Sequence, residues 1–132
     1  QVSPMHRHFL KTEDIINRGG GDLVLELFAA GEDGTIDRGA EVSVLIDAVR
    51  RVLKGGEHLR LRPGESVSLT PTVWHAFWGE NGDVLIGEVS TVNDDRTDNW
   101  FEMEIPRYTE IVEDSAPVHL LVSDYPKYLG SA

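Results

Sequence analysis

Glycine and proline interrupt this chain at short intervals and divide it into short apolar segments. Within two of these segments apolar residues alternate with polar ones, so that Val42, Val44 and Ile46 share one face of a strand, as do Val67 and Leu69. β-Branched residues suit a pleated, half-buried surface. Short segments with regular turn signals are typical of a β-sandwich or β-barrel, so the sequence predicts an all-β fold.

The predicted organisation is a single domain over residues 1–132, because no internal repeat, low-complexity tract or linker divides the chain. Residues 12–18 predict a helical turn with Thr12 as its N-cap. Residues 93–114 form one long acidic connection, and a connection of that length within a domain is usually functional or mobile. The predicted strands cover residues 22–28, 41–47, 58–61, 66–69, 73–78, 83–92 and 118–122.

The charge balance argues against several classes of partner. The 132 residues include 12 Lys and Arg but 23 Asp and Glu, which gives a formal net charge of −11. Such a chain repels phosphate backbones and anionic membrane surfaces, so we expect neither as a partner. Without cysteine, disulfides, thiolate metal sites and cysteine nucleophiles are excluded. No apolar run approaches the ~20 residues of a membrane span, so a cytoplasmic protein is expected.

The sharpest local pattern is the pair His6 and His8, which point to the same face if they lie on a strand. Two imidazoles on one face can bind one metal ion, and Glu13 can fold back as a third ligand. Two surface histidines near a chain end would give the same pattern. A third histidine, His75, follows a Pro-Gly turn and lies within an apolar segment. Alone it is typical of a hydrogen-bonded core residue, but the first pair favours a ligand role.

These histidines and Glu13 resemble the two metal-binding motifs of the cupin superfamily, although the second motif lacks its usual glycine and is one residue shorter. A closer resemblance, to the D-lyxose isomerase family of sugar-isomerising cupins, covers nearly the whole chain. The strings that carry it are Pro4-Met5-His6-x-His8, Glu13-Asp14-Ile15-Ile16-Asn17-Arg18-Gly19-Gly20-Gly21, Pro63-Gly64-Glu65-Ser66, Ile86-Gly87-Glu88-Val89-Ser90, Val92-Asn93-Asp94-Asp95, Asp98-Asn99, and Arg107 followed by Ile111-Val112-Glu113-Asp114.

This resemblance implies a cupin double-stranded β-helix, a jelly-roll-like barrel, and a metal-dependent aldose–ketose isomerase. The implied metal ligands are His6, His8, Glu13 and His75, and the implied cofactor is Mn²⁺. The implied substrate pairs are D-lyxose with D-xylulose and D-mannose with D-fructose, and the implied assembly is a homodimer. Family members also carry an N-terminal region before the Pro4-Met5-His6 string. The resemblance therefore implies that a further segment was removed, that it is supplied by another chain, or that this chain is not an active unit by itself.

Three imidazoles and one carboxylate also suit Fe²⁺, Co²⁺, Ni²⁺ or Zn²⁺. Four protein ligands on an octahedral ion leave two positions, enough for sugar oxygens O1 and O2. Such chelation polarises the carbonyl and acidifies the neighbouring C–H. A base then moves a proton between C1 and C2 through an enediol, or a hydride shift occurs.

Three residues are candidates for the catalytic groups. Glu88 interrupts an apolar strand in phase with Val84 and Ile86, so it faces the cavity if they point inward; an edge-strand glutamate in water is the alternative. Glu110 is a candidate through the resemblance alone. Arg107, a basic residue in a long acidic stretch, can fix sugar hydroxyls or orient a carboxylate, or can form a salt bridge.

The acidic connection supplies candidates for substrate binding. Its amides and carboxylates suit sugar hydroxyls, and Trp100 and Phe101 can supply an aromatic face; turn formation is the competing interpretation. From Asn93, Asp94, Asp95, Asp98 and Asn99 we assign Asn93, Asp94 and Asp98 to the substrate.

Trp74 and Trp78 lie on the strand face opposite His75 and predict an aromatic patch that contacts a partner surface.

Two other functions remain open. One is an Fe²⁺-dependent cupin dioxygenase with the same ligands, and the other is a sugar-binding cupin without catalysis. The polar residues after Val92 favour a polyol over the apolar substrate of many dioxygenases. Conversion of an added aldose to a ketose distinguishes the isomerase from both.

Overall fold

The computed structural model describes residues 2–105, 112, 114–121 and 124–130. These residues are nearly all β-structure, which confirms the predicted all-β class. The strands are β1 (Val2–His8), β2 (Glu13–Ala30), β3 (Ile36–Asp37), β4 (Glu41–Ile46), β5 (Val49–Lys54), β6 (His58–Leu61), β7 (Ser66–Leu69), β8 (Val73–Ser90) and β9 (Asn99–Phe101), and a single turn of helix, α1, spans Tyr125–Tyr128.

In the described part of the chain, one antiparallel sheet of nine strands carries the fold, in the order β5-β4-β7-β2-β8-β1-β9, with β3 and β6 also paired to β2. The two long strands, β2 and β8, pair along almost their whole length. The other edge of β2 meets β7 in its first half and β6 in its second. This arrangement is consistent with the cupin-like barrel that the resemblance implies.

Glycines allow the long strands to bend together. Register shifts interrupt the β2–β8 pairing at Asn17/Gly19 and at Gly20/Asp22. Gly20 has φ +96°, and a Cβ there would lie 2.0 Å from the carbonyl oxygen of Asp83, so this close approach of two backbones requires glycine. The sequence predicted turns between strands at these glycines; they are bends within β2, and residues 79–82 lie within β8.

The predicted helical turn at 12–18 is wrong, because those residues belong mainly to β2. Glu13, Ile15 and Asn17 are buried while Asp14 and Ile16 are only half-buried, which is the period of two of a strand. Pairing with β7 and β8 on both edges outweighs the local preference for a turn. Among residues 118–121 the predicted late strand is also absent.

One cluster of buried apolar side chains forms the core. It is built of apolar side chains from five strands and borders the face that carries His75, whose partner across the β2–β8 ladder is Leu27. The barrel wall therefore supplies a rigid support for the site. The buried apolar side chains that pack together in this core are Ile15, Leu23, Leu25, Leu27, Val42, Val44, Leu59, Leu61, Val67, Leu69 and Val73.

The predicted aromatic patch on the outer face of β8 is wrong for Trp74, which is only 2% exposed. Its indole N–H donates to the carbonyl of Gly34 at 3.0 Å, and its ring packs against Trp100. The guanidinium of Arg7 lies over both rings, so the chain covers this tryptophan itself. Trp78 is half-buried.

No helix among the described residues is long and apolar enough to cross a membrane.

Candidate metal centre and its cavity

Three histidines converge because β1 lies beside β8. His6 is paired directly with His75 across these strands, and their ring centroids are 4.2 Å apart. His8 lies two residues further along β1, on the same face, with its ring 5.7 Å from that of His75. The fold thus brings together imidazoles that are far apart in the sequence.

Each imidazole is oriented by its Nδ1 atom. Nδ1 of His6 lies 2.8 Å from the carbonyl oxygen of Pro4. The corresponding distances are 3.2 Å from His8 to Asp98 and 3.1 Å from His75 to Val73. A carbonyl only accepts hydrogen bonds, so each Nδ1 carries a proton, and in the neutral ring the lone pair then lies on Nε2. This is the orientation that metal-binding histidines adopt.

Glu13 completes the group from the start of β2. Its Oε1 lies 3.0 Å from Nε2 of His75 and 3.4 Å from Nε2 of His8. All three atoms are buried, and none makes a hydrogen bond of acceptable geometry. Including His6, the four candidate ligand atoms lie within 4.8 Å of one another. Buried ligand atoms that lack hydrogen-bond partners and point at one position fit a divalent cation that they would share.

The electrostatics of this group favour deprotonated ligands. Burial, together with the neighbouring His75 ring, lowers the pKa of His6 from 6.5 to about 4. Burial alone would raise the pKa of Glu13, but the adjacent rings of His75 and His8 and the Lys11 ammonium lower it well below its usual range. Cation binding requires neutral imidazoles and an ionised carboxylate, and these two shifts favour the neutral form of His6 and the ionised form of Glu13.

Lys11 is a component of this site that the sequence analysis missed. Its ammonium lies 2.8 Å from Oε2 of Glu13 and 3.0 Å from Oε1 of Glu88, and its side chain is only 8% exposed. Burial would lower the pKa of Lys11, but these two carboxylates raise it overall, so the group is charged. A lysine in a short connection between strands is an ordinary surface residue by sequence, so no signal identified it.

Asp98 holds the connection between β1 and β2 in place. Its carboxylate accepts hydrogen bonds from the backbone N–H groups of Phe9, Leu10 and Lys11 at 2.7–3.0 Å. Burial would raise the pKa of Asp98, but the amides of Leu10 and Lys11 lower it. The backbone carbonyl of the same residue contacts Nδ1 of His8. Asp98, 3% exposed, therefore supports the group rather than facing the cavity.

A cavity of about 500 Å³ is lined by three of the four candidate ligands, His6, His8 and Glu13. Glu88, on β8, lies in its wall, where the side chain is 45% exposed. Polar and aromatic groups share the lining, and the size is that of a small-molecule site. The described lining residues are Ser3, Pro4, His6, His8, Lys11, Glu13, Ile15, Phe77, Glu88, Asp95, Asn99, Phe101 and Ile105.

The structure places the substrate candidates differently from the sequence assignment. Asp95 and Asn99 line the cavity, whereas Asn93, Asp94 and Asp98 do not. Asp94 forms a turn, because its carboxylate accepts from the N–H of Arg96 at 2.9 Å and its carbonyl from that of Asp98 at 3.0 Å. Asn93 lies beside Asp98 and helps to lower its pKa.

Aromatic placement also follows from register. Phe101, paired with His6 across β1 and β9, stacks on that ring and lines the cavity, while Trp100 packs on the opposite face against Phe9 and Trp74.

Arg107 and Glu110 lie outside the described residues.

Comparisons with known proteins agree with this geometry. A family model described as D-lyxose isomerase matches residues 1–125. A protein of Serratia proteamaculans named D-lyxose/D-mannose isomerase is 50% identical over 98% of this chain, which covers 58% of that relative. A protein of Escherichia coli O157:H7 with the same name is 47% identical over 97% of this chain, covering 57% of that relative. The chain thus spans little more than half the length of these relatives.

Proposed function

Because this chain belongs to the D-lyxose isomerase family, we propose that it forms the metal-binding barrel of an aldose–ketose isomerase. The proposed reactions interconvert D-lyxose with D-xylulose and D-mannose with D-fructose. One observation carries the proposal: three buried, unpartnered ligand atoms, on His8, Glu13 and His75, are directed at one point beside a polar cavity. The names of the two relatives support the choice of sugars.

In this proposal His6, His8, Glu13 and His75 hold the cation, with Mn²⁺ as the proposed metal. A bound divalent cation would supply Lewis acidity at the sugar carbonyl and lower the barrier to removal of the neighbouring C–H proton. The protein holds the three rings and the carboxylate in position before the cation binds, because each Nδ1 is already fixed by a backbone carbonyl.

Glu88 is the proposed base. From the cavity wall its carboxylate accepts the proton from C2 of the aldose and returns it to C1, while a second proton moves from O2 to O1 to give the ketose. The ammonium of Lys11, 3.0 Å away, fixes one of its oxygens. Arg107 and Glu110 remain proposed contributors on the resemblance alone.

We propose Asp95 and Asn99 as the groups that bind sugar hydroxyls, with Phe101 as the apolar face against the sugar ring. These replace Asn93, Asp94 and Asp98 in that role, because their side chains do not line the cavity. The polar lining favours a polyol substrate over the apolar substrate of a dioxygenase.

The homodimer is retained as a proposal. Leu85 and Val89 on β8 are exposed by 68% and 63%, respectively, and lie on the same strand as the site. Size-exclusion chromatography with light scattering measures the assembly directly.

The test is conversion of sugar by the purified chain. With Mn²⁺ and D-lyxose or D-mannose, we expect a ketose product, its loss on addition of EDTA, and its recovery with excess Mn²⁺. Glu88→Gln should lower kcat at least about a hundredfold, whereas Glu32→Gln, at an exposed position, should not change it. Sugar binding without product would instead support a non-catalytic sugar-binding cupin.

A further inference from the structure

The two oxygens of the Glu13 carboxylate have different partners. Oε1 lies against the Nε2 atoms of His8 and His75, at the candidate cation position. Oε2 is 2.8 Å from Nζ of Lys11. A carboxylate held in this way offers one oxygen to a cation, whereas a carboxylate without such a partner can bind through both.

Lys11, whose ammonium holds Oε2, is itself fixed by two further contacts, one of its side chain and one of its backbone. Its contact with Oε1 of Glu88, at 3.0 Å, restrains it from β8, the strand paired with the one that carries Glu13. The backbone N–H of Lys11 donates to Oδ2 of Asp98 at 3.0 Å, which fixes the connection that carries it. The side chain is 8% exposed, so water does not compete freely for these contacts.

We infer that Lys11 is a positioning residue that keeps Glu13 a one-oxygen ligand and so leaves two coordination positions for the sugar. This inference rests on the metal site of the proposed function. An octahedral cation with three imidazoles and one carboxylate oxygen has two positions left, and a second Glu13 oxygen would fill one of them. A sugar that must present two neighbouring oxygens would then bind through only one.

The experiment counts the water molecules on bound Mn²⁺ by water-proton relaxation, using the full chain with Mn²⁺ as the only added ligand. Wild type should show about two inner-sphere waters, and K11M about one, because Oε2 of Glu13 is then released to the cation. K11R keeps a cation between the two carboxylates and should retain about two. K54M is the matched control, because Lys54 is exposed and away from the cavity.

Each outcome separates this inference from its alternatives. A K11M protein that binds Mn²⁺ more weakly but with about two waters would show that Lys11 supports the site only through charge or packing, and would overturn the inference. If K11M fails to match the near-UV circular dichroism of wild type, the K11R protein provides the test. A folded K11R protein with about one inner-sphere water overturns the inference, and one with about two supports it. Wild type that binds no Mn²⁺ refutes the metal site and with it the proposed function.

Discussion

His6 and His75 lie directly opposite each other on adjacent strands, with ring centroids 4.2 Å apart. Because β1 contributes two imidazoles and β8 the third, the candidate metal centre joins the start of the described chain to its longest antiparallel pairing. A cation held there would cross-link β1, β2 and β8, so the metal should stabilise the fold as well as serve the reaction.

Replacing His75 by alanine should remove stoichiometric metal. The ring is 1% exposed and supplies one of the three unpartnered ligand atoms, so we expect Mn²⁺ affinity to fall at least about a hundredfold. Isothermal titration calorimetry measures the loss. His58→Ala, an exposed ring that packs on Trp78, is the control and should bind as wild type. Unchanged metal content in the folded His75→Ala protein would refute the ligand assignment.

Asp98→Asn should destabilise the chain and weaken metal binding together. The carboxylate accepts from three successive backbone N–H groups, and an amide offers one acceptor oxygen and no charge. We expect a loss on the order of 2–4 kcal/mol in the free energy of unfolding, measured by urea denaturation. Asp94→Asn, at an exposed turn, should cost about 1 kcal/mol or less. Equal effects of the two substitutions would contradict the special role of Asp98.

Metal-free protein should lose stability as the pH falls below 6.5. His6 has a pKa of about 4 when folded against 6.5 in its ordinary state, so between these values the unfolded chain binds the extra proton. His6 therefore lowers the free energy of unfolding by an amount on the order of 3 kcal/mol across this window. Glu13, whose folded pKa is also lowered, acts in the same direction at still lower pH.

Urea denaturation in EDTA at several pH values measures this dependence. A His6→Gln variant, which cannot titrate at this position, should show a flatter profile between pH 6.5 and 4. A profile as steep as that of wild type would assign the effect to other groups.

Gly20→Ala should be far more harmful than Gly64→Ala, although both glycines have nearly the same positive φ, +96° and +97°. A Cβ at Gly20 would meet the Asp83 carbonyl at 2.0 Å, while one at Gly64 would meet nothing within 4 Å. We expect a loss of about 3 kcal/mol or more at Gly20, and of about 1–2 kcal/mol at Gly64, from strain alone. Thermal unfolding provides the comparison; similar losses would show that backbone strain, not the β2–β8 contact, dominates.

The all-β class and several strands could be predicted because their signals are local. Alternation located β4, and turn residues bounded β6 and β7. Alternation does not reveal that a glycine triplet bends a strand instead of ending it, because the cause is the carbonyl of Asp83 on the partner strand. The start of β2 was mistaken for a helical turn for a similar reason, because its pairing with β7 and β8 cannot be seen in the local sequence.

The site divides in a similar way. The four candidate ligands could be proposed from residue type and motif, and the fold brings them together. The contacts of Lys11 and Asp98 could not be predicted, since their partners lie far away in the sequence, Glu88 for one and the amides of the β1–β2 connection for the other. Residue type alone cannot tell a carboxylate that binds sugar from one that binds backbone.

The Asp98 contacts have a consequence for how this barrel tolerates change. Asp95 and Asn99 line the cavity and lie close in sequence to Asp98, which binds the backbone N–H groups of Phe9, Leu10 and Lys11. This part of the cavity lining and the connection between β1 and β2 are therefore both held by Asp98. An insertion or deletion that reshapes this part of the cavity for a different ligand would therefore also displace the connection that supports the candidate metal ligands. Retuning selectivity by exchanging side chains, with the loop length kept constant, is the route this architecture leaves open.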